Sequence, residues 1–378
     1  MLAGLLHDIG QHSFAHGLED ILSSARHESI ADAFITGVGL DKIVKSEYYG
    51  ERSLSEIIEE FWPEVKIERL RWMISGVKPQ EMSIDHGWEV MKAIIDGPID
   101  ADKTDYLIRD AYHAGVEYPM SIDMERFINS LTASIYKGKR YNKGVLAFSW
   151  KGEQSAENII LARTQMFWVL YWHHTIRAAN AMLAHACFEH LKSTDEEARI
   201  ELTKKFYCGT INELLEHLKN SNNNRTKELA KSLQMRCLFK RAIALDYTDD
   251  RDLYKKLLDL KKKYKENDII LKKLSRDISE AINKELSQKG SNTRLNPNGE
   301  DIIVDIPVAD KDKLGTLYIA HKNTNTASEY NSNRLAGDLE NWQYRVRTIR
   351  IFVHPLHVSK KDREYISDAG QDILQYAV

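Results

Sequence analysis

The sequence predicts a mainly α protein with a small α+β unit at its C-terminal end. Three observations carry this. The run 159–190 has apolar residues on more than one face and contains no Gly or Pro, the pattern of one long, deeply buried helix. The segment 251–288 is highly charged, with Leu and Ile spaced three and four apart, which predicts one or two amphipathic helices. After the loop signal Asn296-Pro297-Asn298-Gly299, short β-type runs follow at 302–306, 317–319 and 349–353, before helix returns over 360–374.

The upstream elements follow the same logic. Leu54, Ile57, Ile58, Phe61 and Trp62 stand at helical spacing, and Pro63 marks a break or a new first turn. Gly97-Pro98 punctuates the chain before a helix that starts at Ile99-Asp100. The run 143–150, KGVLAFSW, predicts a strand. Lys261-Lys262-Lys263 is a solvated helix face. The division that results is a helical core over 1–205, a helical extension over 206–295 and a small α+β unit over 296–378.

Composition narrows the class. The chain has 378 residues, enough for a large domain plus a smaller one. With 53 Lys and Arg against 56 Asp and Glu, the net charge of −3 carries no global basic field for nucleic acid. Three cysteines far apart in sequence make no CxxC pair and no disulfide framework, so a cytoplasmic setting is expected. No apolar run reaches the ~18 residues of a membrane span. The first six residues are too short for a signal peptide and lack a basic start.

Three clusters carry chemistry. In the first, the apolar run Leu5-Leu6 leads into His7-Asp8. Imidazole beside carboxylate suits a hard or borderline divalent cation such as Mg, Mn, Fe, Co, Ni or Zn. Alone, the pair is more often a turn feature. Here four of the 14 histidines (His7, His12, His16 and His27, the last beside Glu28) fall in the first 27 residues, which favours metal or phosphate chemistry. His12 and His16 share a face if that stretch is helical.

The second cluster is IDADKTDYLIRDAYH, residues 99–113. On a helix, Asp102, Tyr106 and Asp110 form one stripe, while Asp105 and Arg109 make a plain surface ion pair. The third is Arg163 with Tyr171, His173, His174 and Arg177 in the long apolar run. Buried Arg and His need partners, either internal carboxylates or an anionic ligand.

With these residues in view, the chain resembles the HD-domain phosphohydrolases, in the branch that holds the dNTP triphosphohydrolases. LLHDIGQHSFAHGLE is similar to that branch's second motif, typically LLHDIGHGPFSH. RHE, IDADKTDYLIRDAYHAGV and ARTQMFWVLYWHHTIRAANAML resemble the motifs that follow, in order and spacing, and RTIRIFVHP resembles the branch's C-terminal region. The resemblance implies an HD-domain helical bundle with a divalent metal held by His7, Asp8 and Asp102. It implies phosphate contacts from Lys103 and Arg163, packing of Tyr106 on a deoxyribose, and Asp110 on the sugar 3′-hydroxyl. It places Tyr171 and His173 near the sugar or base, and His16, His27 and Glu28 as the acid/base group.

Two departures stand out. The family's first ligand is a His well upstream of the HD pair, and only six residues precede His7. The expectation is an N-terminal truncation, with the first helix missing. Gln11 also stands where many of these enzymes have His. The function implied is hydrolysis of a dNTP to deoxynucleoside and triphosphate. The alternatives are hydrolysis of another nucleotide phosphoester and a catalytically inactive nucleotide- or nucleic-acid-binding protein. A homo-oligomer is expected by the same resemblance.

Overall fold

The computed structural model describes residues 1–12, 27–40, 43, 52–76, 84–192, 194–264, 268–306, 316–330 and 347–378; the side chains of 27–29, 262–264 and 268–271 fall outside that description. The chain forms two compact units. Met1–Met166, Thr194–Leu214 and Leu314–Ser332 build the first; Phe167–Ser193, Leu215–Lys313 and Asn333–Val378 build the second. Each draws on separate stretches of chain, so the segments 1–205, 206–295 and 296–378 run across them. The fold is predominantly α with a smaller α+β part.

The first unit begins with α1 (Leu2–Leu6), α2 (His27–Thr36), α3 (Leu54–Phe61) and α4 (Ile67–Ser75). Ser53 and Glu56 close α3 with a reciprocal capping box, which satisfies otherwise orphaned N–H groups. Pro63 lies between α3 and α4, where the sequence places a break. Ala3, Ala31, Ile35, Ile58 and the α4 residues Ile67, Leu70, Trp72, Met73 and Ile74 share one core. Arg71 grips Asp32 through two bonds, Nε to Oδ1 at 2.6 Å and Nη2 to Oδ2 at 2.9 Å, and so ties α4 to α2.

Next come α5 (His86–Ile95), α6 (Ala101–Ala114) and α7 (Met124–Ser130), each started by an Asp cap: Asp85, Asp100 and Asp123. Gly115, at φ +68°, ends α6 in the left-handed conformation that favours Gly. Strands β1 (Leu131–Lys137) and β2 (Asn142–Phe148) form an antiparallel hairpin. α8 (Glu153–Met166) follows.

The long helix expected over 159–190 is broken. α8 stops at Met166, Phe167–Tyr171 forms a π turn, and α9 (His174–Lys192) begins afterwards. Trp172 N–H donates to Phe167 C=O at 2.8 Å, the five-residue step that defines a π turn. None of Phe167–Tyr171 is buried. An apolar, Gly-free run reads as continuous helix because hydropathy does not reveal the one-residue phase shift of a π turn.

Beyond α9 lie α10 (Glu196–Cys208), α11 (Ile211–Lys219), α12 (Asn224–Gln234), β3 (Lys240–Leu245), α13 (Arg251–Tyr264) and α14 (Asp268–Gln288). The last two are the amphipathic helices read over 251–288. They are followed by β4 (Ile302–Asp305), β5 (Tyr318–Ala320), β6 (Thr326–Glu329), β7 (Ile349–Val353), α15 (Lys360–Asp368) and α16 (Gly370–Ala377).

The C-terminal strands do not form one sheet. β5 and β6 close a small barrel with β1 and β2 in the first unit, whereas β4 and β7 join β3 in a three-stranded antiparallel sheet of the second, in the order β3-β7-β4. On that sheet Ile349, Ile351 and Val353 of β7 face a core shared with Leu257, Ile278, Ile282 and Leu374. The two-residue period then puts Arg350 on the opposite face, directly across from Asp305 in the ladder.

A candidate metal centre on the first unit

The site starts where α1 ends. His7 and Asp8 sit in the turn after Leu6, and the His7 Nδ1 lies 2.9 Å from the Gly4 carbonyl. An Nδ1–H donated to that carbonyl leaves Nε2 with its lone pair. This Nε2 is buried and has no hydrogen-bond partner among the described residues. It faces Asp8 Oδ2 at 3.4 Å and Asp102 Oδ1 at 3.7 Å, beyond good hydrogen-bond range. Ligand atoms of His7, Asp8 and Asp102 all lie within 4.8 Å of one another. One nitrogen and two carboxylate oxygens around a shared point suit a hard or borderline divalent cation.

Electrostatics agree with that geometry. Burial raises the Asp102 carboxyl above its usual value, and the negative charge of Asp8 raises it further, against the opposing pull of His7. Two carboxylates brought together, with His7 and Lys103 only partly offsetting their charge, favour a cation between them.

Helix α6 supplies Asp102, and its start is tightly built. Asp100, itself buried, caps the helix by accepting from Lys103 N at 2.8 Å. The Lys103 ammonium turns back onto the Asp100 carboxylate and onto the Gly97 carbonyl at 3.0 Å. Lys103 is therefore held on the cap, a role the sequence reading gave to no residue. An Asp followed three residues later by a helical N–H is the signal that could have shown it.

Asp102, Tyr106 and Asp110 do share one stripe of α6, all part-buried, while Asp105 and Arg109 form an exposed pair at 3.4 Å. Arg163, on α8, is hydrogen-bonded to the Tyr106 phenol. Burial raises that phenol above its usual value, with Arg163 opposing and Asp102 and Asp100 adding to the rise. The structure thus joins Arg163 to the stripe that carries Asp102. Tyr171 and His173 belong to the second unit; Tyr171 ends the π turn and His173 precedes α9.

His16 lies outside the described residues. His27 and Glu28 open α2, and their side chains are also outside the description. His12 is buried and packs edge-on against Phe206 and Tyr207, with ring centroids 5.5 and 5.8 Å apart. Gln11 N–H donates to the Asp8 carbonyl at 2.8 Å and so closes the turn that carries the His-Asp pair. No helix among the described residues is long and apolar enough to cross a membrane.

An uncharacterized protein of Methanocaldococcus jannaschii is 30% identical over 248 residues, which is 66% of this chain and 44% of that protein. The uncharacterized protein YwfO of Bacillus subtilis is 27% identical over 183 residues, 48% of this chain and 35% of the relative. The chain thus spans less than half the length of these relatives. The crystal structure of a hypothetical protein from Aquifex aeolicus superposes with a TM-score of 0.60 at 19% identity, covering 97% of this chain and 79% of that one, a likeness of fold. The family model described as the HD associated region matches residues 122–375, which begins beyond the His7, Asp8 and Asp102 cluster. That match takes in most of the chain, which therefore belongs to the HD-associated region family.

Proposed function

We propose that this chain is the core of a metal-dependent phosphohydrolase that acts on nucleotides, with dNTPs as substrates and deoxynucleoside plus triphosphate as products. The observation that carries the proposal is the convergence of His7, Asp8 and Asp102, with the stripe of Asp102, Tyr106 and Asp110 running away from it and Arg163 fastened to its middle.

His7 offers Nε2, fixed in direction by the bond to Gly4, and Asp8 and Asp102 offer one oxygen each. When bound there, a divalent cation supplies Lewis acidity to a phosphoryl oxygen and to the attacking water. Arg163 brings a planar donor set matched to phosphate oxygens, and its bond to Tyr106 orients it over the stripe. Tyr106 supplies a ring for the deoxyribose, and Asp110 an acceptor for its 3′-hydroxyl. Lys103 acts by holding Asp100 and the start of α6. His16, His27 and Glu28 are the proposed source of the proton for the departing 5′ oxygen. Tyr171 and His173 are proposed for the sugar or base. Cleavage at the α-phosphorus adds water across the P–O5′ bond, so triphosphate and a free 5′-hydroxyl are released.

The test is a product assay. The purified chain is incubated with Mn²⁺ or Mg²⁺ and, separately, each dNTP, ribonucleotide and nucleoside monophosphate, and products are separated by ion exchange. Triphosphate from dNTPs supports the proposal. Orthophosphate from monophosphates alone would replace it with a different phosphoester. Nucleotide binding without turnover would assign a binding role.

A further inference from the structure

The barrel side of the first unit holds a cavity of about 390 Å³ that the metal-site reading leaves unused. That volume lies in the usual range of small-molecule pockets, ~300–1,000 Å³. Trp72 from α4, Phe148 from β2 and Tyr318 from β5 give it aromatic walls, and Pro98 and Ile99 form the side next to α6. Four charged residues meet it: Glu89, Lys92, Asp96 and Lys143.

The two acids are already engaged. Glu89 accepts from Gly144 N–H at 2.6 Å and from His86 at 3.1 Å, and Asp96 is paired with Lys92 at 2.7 Å. Lys92 also donates to the Met73 carbonyl at 3.3 Å, which uses two of its three N–H groups. Lys143 makes no ion pair among the described residues. The cavity therefore combines aromatic walls with the third N–H of Lys92 and the exposed ammonium of Lys143 at its edge, and that combination suits a flat ring bearing one negative group.

We propose that this cavity is a second ligand site, for a small aromatic acid, and that its occupancy is felt at the start of α6. The ring lies among Trp72, Phe148 and Tyr318, and the anionic group meets Lys92 and Lys143. The link to α6 is Gly97, which also lines the cavity. Its N–H donates to Asp100 Oδ2 at 3.1 Å, and its carbonyl accepts from Lys103 Nζ at 3.0 Å. A Cβ at Gly97 would come within 2.2 Å of the Ala93 carbonyl oxygen, so this turn has little slack. A ligand braced on Pro98 and Ile99 stiffens the cap that precedes Asp102, and by linkage a stiffer cap favours the ligand.

The probe is 1-naphthoate, titrated into the full chain by calorimetry at neutral pH. One site is expected. Ala93→Trp, and independently the milder Ala93→Leu, fill the cavity and should abolish or sharply weaken binding while far-UV circular dichroism is retained. Lys92→Met should weaken naphthoate about tenfold, the scale of one charge-assisted hydrogen bond, and leave the neutral 1-naphthalenemethanol unaffected. Saturation should slow hydrogen exchange of the amides at 100–104 in the parent chain and not in Ala93→Trp. No binding to the parent chain, binding in both filled variants as tight as in the parent, or unchanged exchange at 100–104 under saturation would each overturn the proposal.

Discussion

His7 can serve a cation because its two ring nitrogens have separate duties. Nδ1 is fixed on the Gly4 carbonyl, and Nε2 is left facing Asp8 and Asp102. Removing a partner that merely orients a metal ligand costs ~10–100-fold in affinity, so removing a ligand costs at least that. Asp102→Asn should therefore lower Mn²⁺ affinity, read by calorimetry, by tenfold or more while the helical circular dichroism signal stays. Unchanged affinity would remove the cluster from consideration. The same scale shows what the sequence made legible. His7, Asp8 and Asp102 could be picked out because ligand-type residues recur in a motif order. The hydrogen bond of Arg163 to Tyr106 could not, since it depends on how α8 packs beside α6. For Lys103 the resemblance implies a phosphate contact, and in the structure its ammonium lies on Asp100. A lysine's charge is visible in a sequence; the direction of its four-carbon stem is not.

At the scale of elements, local pattern was readable and pairing was not. β2 shows up as a β-type run, whereas β1, Leu131–Lys137, carries Thr, Ser and Lys among its seven residues and buries only Ser134. A strand so thinly buried leaves little periodicity to find. β5 and β7 were both recognisable as strands, yet they belong to different sheets, because strand partners are set by contacts distant in sequence. The hairpin also fixes α5. Gly144 of β2 lies so close to that helix that an added Cβ would sit 2.1 Å from the His86 carbonyl oxygen. Gly144→Ala must push α5 away from β2 and strain the Glu89 bond to the Gly144 N–H. The expected cost is ~1–3 kcal/mol, the range for overpacking a close contact. Urea unfolding measures it, and a variant as stable as the parent would mean the helix shifts freely.

For the molecule as a whole, stability at different pH follows from the charges that folding hides. The second unit buries Asp305 on the face of its sheet opposite the main apolar core, and Arg177 of α9 reaches it with a two-pronged contact whose Nε–Oδ2 arm is 2.9 Å. Burial raises the Asp305 carboxyl, but Arg177 outweighs it, helped by Lys261 and Arg350, and the net direction is below the usual carboxylate value. A depressed acid contributes stability that is complete above its unfolded value, near 3.8, and is lost as pH falls through the lower folded value. Arg177→Leu removes the main partner and leaves Asp305 buried. It should cost ~3–5 kcal/mol at neutral pH, the range for breaking a buried pair from one side, with Arg350 and Lys261 holding the loss toward the lower figure. In that variant burial is opposed less, so Asp305 takes up its proton at higher pH than in the parent. The gap in unfolding free energy between the two proteins should therefore narrow as pH drops from about 7 toward about 4 and below. Converting both partners, Arg177→Met with Asp305→Leu, should recover part of the loss and flatten the difference across the same range, because neither half of that pair is then left alone, while Arg350 loses the acid it faces. A gap that stays constant with pH would show that Arg177 contributes through packing against Trp172, whose ring lies 4.6 Å from its guanidinium carbon, and not through Asp305.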